Sequence, residues 1–596
     1  MSRFATCGMV VVGLLLVSAR LGLLSPAHAS SVTATSWLEL DGSGTRDGLS
    51  RSATGVRVLE RDVSVAVDPD GDPVVAYIEG GTGNVIVKQL VAGAWQQLGT
   101  TPGQGVAPRV KVNTDGTVNV AWLGPTAVFL ARWTGAAWVG LAGSNTGTGL
   151  TGAVNPLSFD FALDQDGRPI VALDAPPASG SDCLSDGTTG LAGPQIYVVQ
   201  WNGSAWNYLG SNPTGGGASD ALSFDIPGTG QAVCHSAIMP SVAVDESGAP
   251  VVAFVYTTGS NQPSPPATFY IGTNTDVYAA RWDGAGWLGV GPEIPTQPVG
   301  PGLGQAGGIS ANANASAPPG SPVAPATPSI AIGTDNRPVV AWSDNSADPN
   351  QTRVLLRKFS QDVRTFNVAT AVWAMIGTNT STSTVISPTS GRNETPVVAI
   401  GESDRPFVVW QTIGPTGAAS VYIRRFNGTT GFVDVTTGSA SGTGVNGPDV
   451  QGLAPALAVG PAPSFTPIVA WLGGGVSAPQ AFARELGTGA MSTLTVSLAG
   501  GGSGTVTSVP SGISCPTLPG ACAQVFPLGT TVTLTATPDP GVTFSGWSGG
   551  CTNTAGPCVV TLSSTTRGVT ATFTGAKLTV SVTGTGAPRL KVRPPF

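Results

Sequence analysis

Histidine and cysteine are the scarce reactive residues of this 596-residue chain, with His28, His235 and seven cysteines. His28 falls in an N-terminal leader, so one histidine remains, too few for a multi-histidine metal site. A Ser/His/Asp triad commonly sets its serine in a Gly-x-Ser-x-Gly turn between strand and helix, and none is evident. His235 therefore reads as a loop residue beside Cys234. Turns such as Asp68-Pro69-Asp70-Gly71 look like fragments of calcium loops. They lack a distal carboxylate, and later copies begin with glycine, so they read as plain turns. No carboxylate pair marks itself as that of a glycosidase, and sialidase-type Ser-x-Asp-x-Gly-x-Thr-Trp turns are missing. No catalytic residue, metal ligand or cofactor is assigned. The residues singled out are six cysteines, Cys183, Cys234, Cys515, Cys522, Cys551 and Cys558. Six cysteines allow 15 pairings. The last four form two close pairs, which suits disulfides in an exported chain, although four cysteines could also close a zinc site.

Export is written at the N-terminus. Residues 1–29 read as a signal peptide, with Arg3, an apolar run from Met9 to Val17, and a small-x-small cleavage site at Ala27-His28-Ala29. Arg20 interrupts the run, which leaves it too short for a membrane anchor, and no later stretch could span a bilayer as a helix. Cys7 sits too early to be a lipid-attachment cysteine. The net charge is −7, and Lys and Arg form no run beyond Arg589, Lys591 and Arg593. Nucleic-acid binding, which needs a basic stripe, is disfavoured.

The elements that would position any site come from a repeat. Only 10% of residues are charged, 41% are hydrophobic, and there are 83 glycines and 49 prolines. That composition excludes a charge-rich disordered chain and long helices, and predicts an all-β protein with many turns. Val65-Ala66-Val67-Asp68, a turn, then Val74-Val75-Ala76-Tyr77 recurs from Val110, Phe161, Val242, Ile330, Val398 and Leu457. Each copy is a hairpin. A second hairpin follows, as in Val128 to Trp138, Ile196 to Gly210 and Val277 to Gly291, often ending in Trp-x-x-Leu-Gly. Two hairpins make a four-stranded blade, and seven copies predict a seven-bladed β-propeller over residues 31–493. The seventh copy lacks its outer strand, and Trp37-Leu38-Glu39-Leu40 at the N-terminus is expected to supply it.

Two regularities fit a ring. The middle of the innermost strand is Ala66, Ala162, Ala243, Ala331, Ala399 or Ala458, with Lys111 the exception, as expected where blades converge. Pro108, Pro240, Pro328, Pro396 and Pro455 stand just ahead of that strand. Trp122, Trp342, Trp410 and Trp471 close the second strands, and packing between blades is a simpler role for them than stacking on sugars. The long insertions at 174–195, 211–240, 257–276, 292–328 and 378–395 all belong to connections on one face; 360–372 is the main exception. That face is the candidate functional surface. Cys183 and Cys234 both fall on it, where a bridge would order two loops.

From Leu494 the texture changes. Gly504-Thr505-Val506, the two close cysteine pairs, Gly529 to Pro538, Phe544-Ser545-Gly546-Trp547-Ser548-Gly549 and Val569-Thr570-Ala571-Thr572-Phe573 follow in order. This pattern resembles the bacterial repeat domain, a divergent relative of internalin B-type repeats found in exported and surface proteins. The resemblance covers residues 494–576 and implies a small β module with two local disulfides, used as a spacer and without catalytic residues. Leu578-Thr579-Val580 starts what looks like a second copy, so residues 577–596 read as a truncated repeat or a disordered tail.

The expectation is an exported surface or secreted binding and adhesion protein, monomeric, whose propeller loops present a site for an extracellular glycan or protein. The alternative is a secreted carbohydrate-active enzyme, a glycoside hydrolase or lyase, on the same scaffold. A scaffold for protein partners in an envelope assembly also fits.

Overall fold

A computed structural model describes residues 36–575 except for short segments, such as 41–47, 345–351 and 377–385, and longer ones at 177–193, 211–235, 259–273 and 292–326, within which Ile309 is described. The signal peptide, Cys183, Cys234, His235, most of the long insertions and residues 577–596 lie outside the described residues. Among the described residues the protein is all-β, and no helix is long and apolar enough to cross a membrane.

Residues 36–487 form seven four-stranded antiparallel sheets. Their innermost strands are Val63–Val67, Val106–Val112, Ser158–Leu163, Ser236–Val244, Ser329–Ile332, Arg392–Ile400 and Leu453–Val459. We number the sheets one to seven in that order. In six of them the strands follow chain order from inside to outside. In the seventh, the outermost strand is Ser36–Glu39, paired antiparallel to Gln480–Gly487. Neighbouring innermost strands lie side by side, and the strand of sheet seven lies beside that of sheet one. The arrangement is propeller-like.

Why these segments form strands is plain from their second members. Pro73–Ile78, Val118–Leu123, Pro169–Ala175 and Pro467–Gly473 are β-branched, apolar and almost wholly buried, since a sheet lies on both faces. Trp122, Trp342, Trp410 and Trp471 are at most 2% exposed. Trp122 stacks on Phe129, and Trp471 on Phe482. They pack one sheet on the next and offer no face to a sugar.

Apolar contact alone would let the sheets slide, because it has no direction. Two sets of hydrogen bonds fix the register. At the periphery, five tryptophans each donate to a carbonyl of the preceding sheet. The indole Nε1 of Trp95 donates to the Leu40 carbonyl (2.7 Å), Trp138 to Leu98 (2.8 Å), Trp206 to Leu141 (3.0 Å), Trp287 to Leu209 (3.0 Å) and Trp373 to Val290 (2.6 Å). Each acceptor stands three residues after the tryptophan of the preceding sheet. Sheet six carries Phe432 at this place, which has no N–H to give, and the Trp37 indole of sheet seven has no partner among the described residues, so the relay covers sheets one to five. Leu40 enters it from the N-terminal segment. Leu49 donates its backbone N–H to Ala481 and Val56 to Pro479, while the carbonyls of Leu40 and Leu49 accept from Trp95 and Lys88, so these residues tie sheet seven to sheet one.

On the inside, the residue just ahead of the repeat caps the next sheet. Ser64 Oγ accepts from the Val110 N–H (3.1 Å), Asp160 Oδ2 from Val242 (3.1 Å), Ser241 Oγ from Ile330 (3.2 Å) and Ser329 Oγ from Val398 (3.0 Å). Asp62, Asp174 and Gln411 accept similarly from Ala107, Met239 and Ala454. Burial pushes the Asp174 carboxyl up, against the pull of the Met239 and Ser158 donors. The prolines differ from expectation. Only Pro328 precedes its strand; Pro108, Pro240, Pro396 and Pro455 sit inside strands that reach further back and are broken by β-bulges. The residue before each, Ala107, Met239, Thr395 or Ala454, has φ between 47° and 56°. A bulge leaves one residue unpaired, so proline costs no ladder bond there.

The C-terminal module has two four-stranded sheets. Met491–Ala499 pairs parallel with Thr566–Gly575, and the other pairings are antiparallel. Leu494, Val506, Leu534, Trp547, Val569 and Phe573 share one core. Cys515 is joined to Cys522 and Cys551 to Cys558, with Cα atoms 5.8 and 6.0 Å apart. Gly546 has φ 132°, and a Cβ there would stand 2.8 Å from the Asn553 carbonyl oxygen. That explains the glycine before Trp547, whose Nε1 donates to Gly556.

Two stability predictions follow from these contacts. Trp287→Phe keeps a ring against Trp282 but strands the Leu209 carbonyl, so it should cost about 1–2 kcal/mol, read as a lower urea midpoint; an unchanged midpoint would remove the indole relay from the account. Closing a loop of about eight residues is worth roughly 2.5 kcal/mol. Cys551→Ala with Cys558→Ala should therefore lower the module's melting temperature by roughly 10 °C, as measured by calorimetry on the full chain.

Candidate functional site

The seven innermost strands enclose a cavity of about 530 Å³. Its middle is lined by Ala66, Ala162, Ala243, Ala331, Ala399 and Ala458, with Lys111 in the seventh place. The convergence read from the repeat is therefore real, and the one lysine enters an alanine-lined space. Side chains alternate along a strand, so Arg109, two residues before Lys111, faces the same way. All innermost strands run in one direction, and their starting ends form one mouth. The connections that include the long insertions attach at that mouth.

Polar groups gather there. Arg109 is 11% exposed and 3.8 Å from Asp160. Its Nη1 donates to the carbonyls of Arg61 and Pro108, both at 2.9 Å, and its guanidinium carbon lies 5.9 Å over the Phe159 ring. Burial, helped by the charge of Arg61, brings its pKa down to about 10, while Asp160 and Asp62 pull the other way. Asp160 is the carboxylate among the described lining residues. Its Oδ2 accepts from the Ser241 hydroxyl and the Val242 N–H, and its Oδ1 from the Phe161 N–H. Thr395 is 6% exposed, and its Oγ1 has no hydrogen-bond partner. Chemically this is a small cationic mouth on an apolar channel.

Of these residues the sequence singled out only Lys111. Arg61, Arg109, Asp160, Ser241 and Thr395 were missed. The signal was present: the residue before the repeat is Ser64, Arg109, Asp160, Ser241 or Ser329 in five copies, against Val397 and Ala456. The Asp-containing turns lie at the opposite end and use up their own first carboxylate. Asp68 Oδ1 accepts from Asp70 and Asp72, Asp164 Oδ1 from Asp166 and Arg168, and Asp245 Oδ1 from Ser247 and Ala249. Their Oδ2 atoms take Gln89, Arg168 and Arg281. Among the described residues no group of three His, Cys, Asp or Glu is placed to hold a metal ion.

Several solved structures resemble the chain at low identity. One is a polysaccharide lyase of family PL25, an ulvan lyase, 11% identical with a TM-score of 0.41 over 72% of this chain and 93% of that one. Another is the GH93 α-L-arabinofuranosidase of Fusarium graminearum in complex with arabinobiose, 10% identical with a TM-score of 0.31 over 76% and 97%. A third, of unknown function, comes from Dyadobacter fermentans, 10% identical with a TM-score of 0.31 over 72% and 99%. No curated protein matches the chain. Residues 494–577 match the divergent InlB B-repeat domain family.

Proposed function

We propose that this chain is an exported binding and adhesion protein. On this reading residues 1–29 are a signal peptide, and residues 31–493 are a seven-bladed β-propeller closed by its N-terminal outer strand. The mouth of its channel, with the long loops attached there, takes an extracellular glycan. Residues 494–576 hold the propeller away from a surface as a spacer.

The observation that carries the reading is the state of the mouth. Its charged and hydroxyl side chains converge on a preformed cavity within the usual range of ligand sites, about 300–1,000 Å³. Glycoside hydrolysis needs two carboxyl groups, one of them able to give or take a proton. The lining carboxylate, Asp160, is instead held by Ser241, Val242 and its own strand. Its bonds set one sheet against the next, which suits a binding frame better than a reacting group.

The test uses the full chain with its disulfides intact, incubated with a panel of acidic and neutral polysaccharides. Retention on the polymer and release of reducing or unsaturated ends are read from the same wells. Retention without product is expected. Steady product release would overturn the binding reading in favour of the carbohydrate-active enzyme.

A further inference from the structure

The charge at the mouth runs against the rest of the chain. The protein has 34 acidic and 27 basic residues, yet among the described lining residues Arg61, Arg109 and Lys111 share the cavity with one carboxylate, Asp160. Asp160 and, behind the lining, Asp62 both act on Arg109, and Asp62 is also 3.5 Å from Arg57. Neither Arg61 nor Lys111 has a side-chain partner among the described residues.

Lys111 has no evident structural task. Six sheets fill the same place with alanine, so alanine suffices for their convergence. A long cationic side chain there is not a packing requirement. Arg109 is held in a different way. The carbonyls of Arg61 and Pro108 fix its Nη1, so the guanidinium is oriented before any ligand arrives, while Nη2 has no protein partner among the described residues. Its low exposure strengthens any attraction to an anion, because little water screens it. Thr395 is among the residues lining the same cavity, and its Oγ1 is buried and unpaired. A buried hydroxyl without a partner calls for an explanation, and turning about χ1 to meet a ligand oxygen in the cavity supplies one.

The lining contains no aromatic ring among the described residues. Recognition here therefore depends on charge and hydrogen bonds, not on stacking. Planar guanidinium groups match carboxylates, and an ammonium adds a point charge.

We propose that the channel mouth is a carboxylate-binding site, in which Arg109, Arg61 and Lys111 hold the acid group of a uronate residue while Thr395 hydrogen-bonds to it. The uronate part rests on the glycan-binding reading above; the carboxylate part does not.

The experiment is calorimetric titration of the full chain with glucuronate, glucose and succinate, at low and at physiological salt, for the wild type, Lys111→Ala and Thr395→Val. Lys111→Ala installs the residue the other six sheets carry, so its melting temperature should match the wild type. Glucuronate should bind at least tenfold more tightly than glucose. Lys111→Ala should weaken it about five- to tenfold and flatten its salt dependence, whereas Thr395→Val should weaken it a few-fold at an unchanged salt slope. Equal binding of glucuronate and glucose, or a Lys111→Ala variant equal to the wild type, would overturn the proposal even if polysaccharides are retained. Lys111-dependent glucuronate binding without polysaccharide retention would keep the carboxylate site and end the glycan reading. Succinate binding as tightly as glucuronate would overturn the uronate assignment and make the ligand a small organic acid.

Discussion

Sheets with two apolar faces must each be covered by a neighbour, and the whole architecture depends on how neighbours are held in register. Burial of Val, Ile and Trp drives the contact, but many relative offsets would bury nearly the same area. The indole-to-carbonyl bonds remove that freedom at the rim. Each is worth about 1 kcal/mol net, a small amount beside the apolar contact. Their value lies in direction: an indole N–H reaches its carbonyl at one offset only. The side-chain caps from Ser64, Asp160, Ser241 and Ser329 do the same at the inner edge. A sheet pinned at both edges cannot slide or rotate.

The inner caps also account for the chemistry of the cavity. A residue ahead of the repeat that must reach the next sheet has to be short and able to accept, hence Ser and Asp. These groups line the channel because the neighbouring N–H lies there, and their oxygens are already occupied. Arg109 stands at the same place and cannot accept a hydrogen bond. It turns instead to the carbonyls of Arg61 and Pro108, and sheet two contributes a cation where sheets one, three, four and five contribute caps. The mouth is cationic because sheet two departs from the pattern at two positions on one strand face, Arg109 and Lys111, and Arg61 ahead of sheet one joins them.

Much of the framework was legible in the sequence, because its signals are local. Hairpins of four-residue strands around Asp-Gly turns, the alanine at the point of convergence, and the Trp-x-x-Leu spacing all lie within one repeat. The N-terminal outer strand could be inferred by counting, since the seventh copy lacked one. The cysteine pairs of the C-terminal module stand seven residues apart and needed no tertiary knowledge. What could not be read were partnerships between repeats. Ser241 caps Ile330 and Asp160 caps Val242, and nothing within either segment names the other. The prolines were placed just outside their strands because proline is poor in a ladder; a bulge, which supplies an unpaired position inside the strand, is invisible to that rule. Thr395 was hidden for the same reason, as the residue that the bulge turns to a positive φ.

The separation between frame and site follows from this. Asp160 and Ser241 line the cavity, but each already has its hydrogen bonds within the frame, and a ligand that took them would have to loosen the contact between two sheets. Lys111 and Thr395 carry no such duty. Arg109 lies between the two classes, fixed at one nitrogen by carbonyls and open at the other. A ligand can therefore meet the cations and the threonine hydroxyl without disturbing any bond that sets the register. A rigid ring gives such a site preorganisation, since the groups that bind are held by groups that do not move. The same rigidity limits what the mouth can accept: its depth is set by the alanines, which cannot retreat, and only the length of Lys111 adjusts.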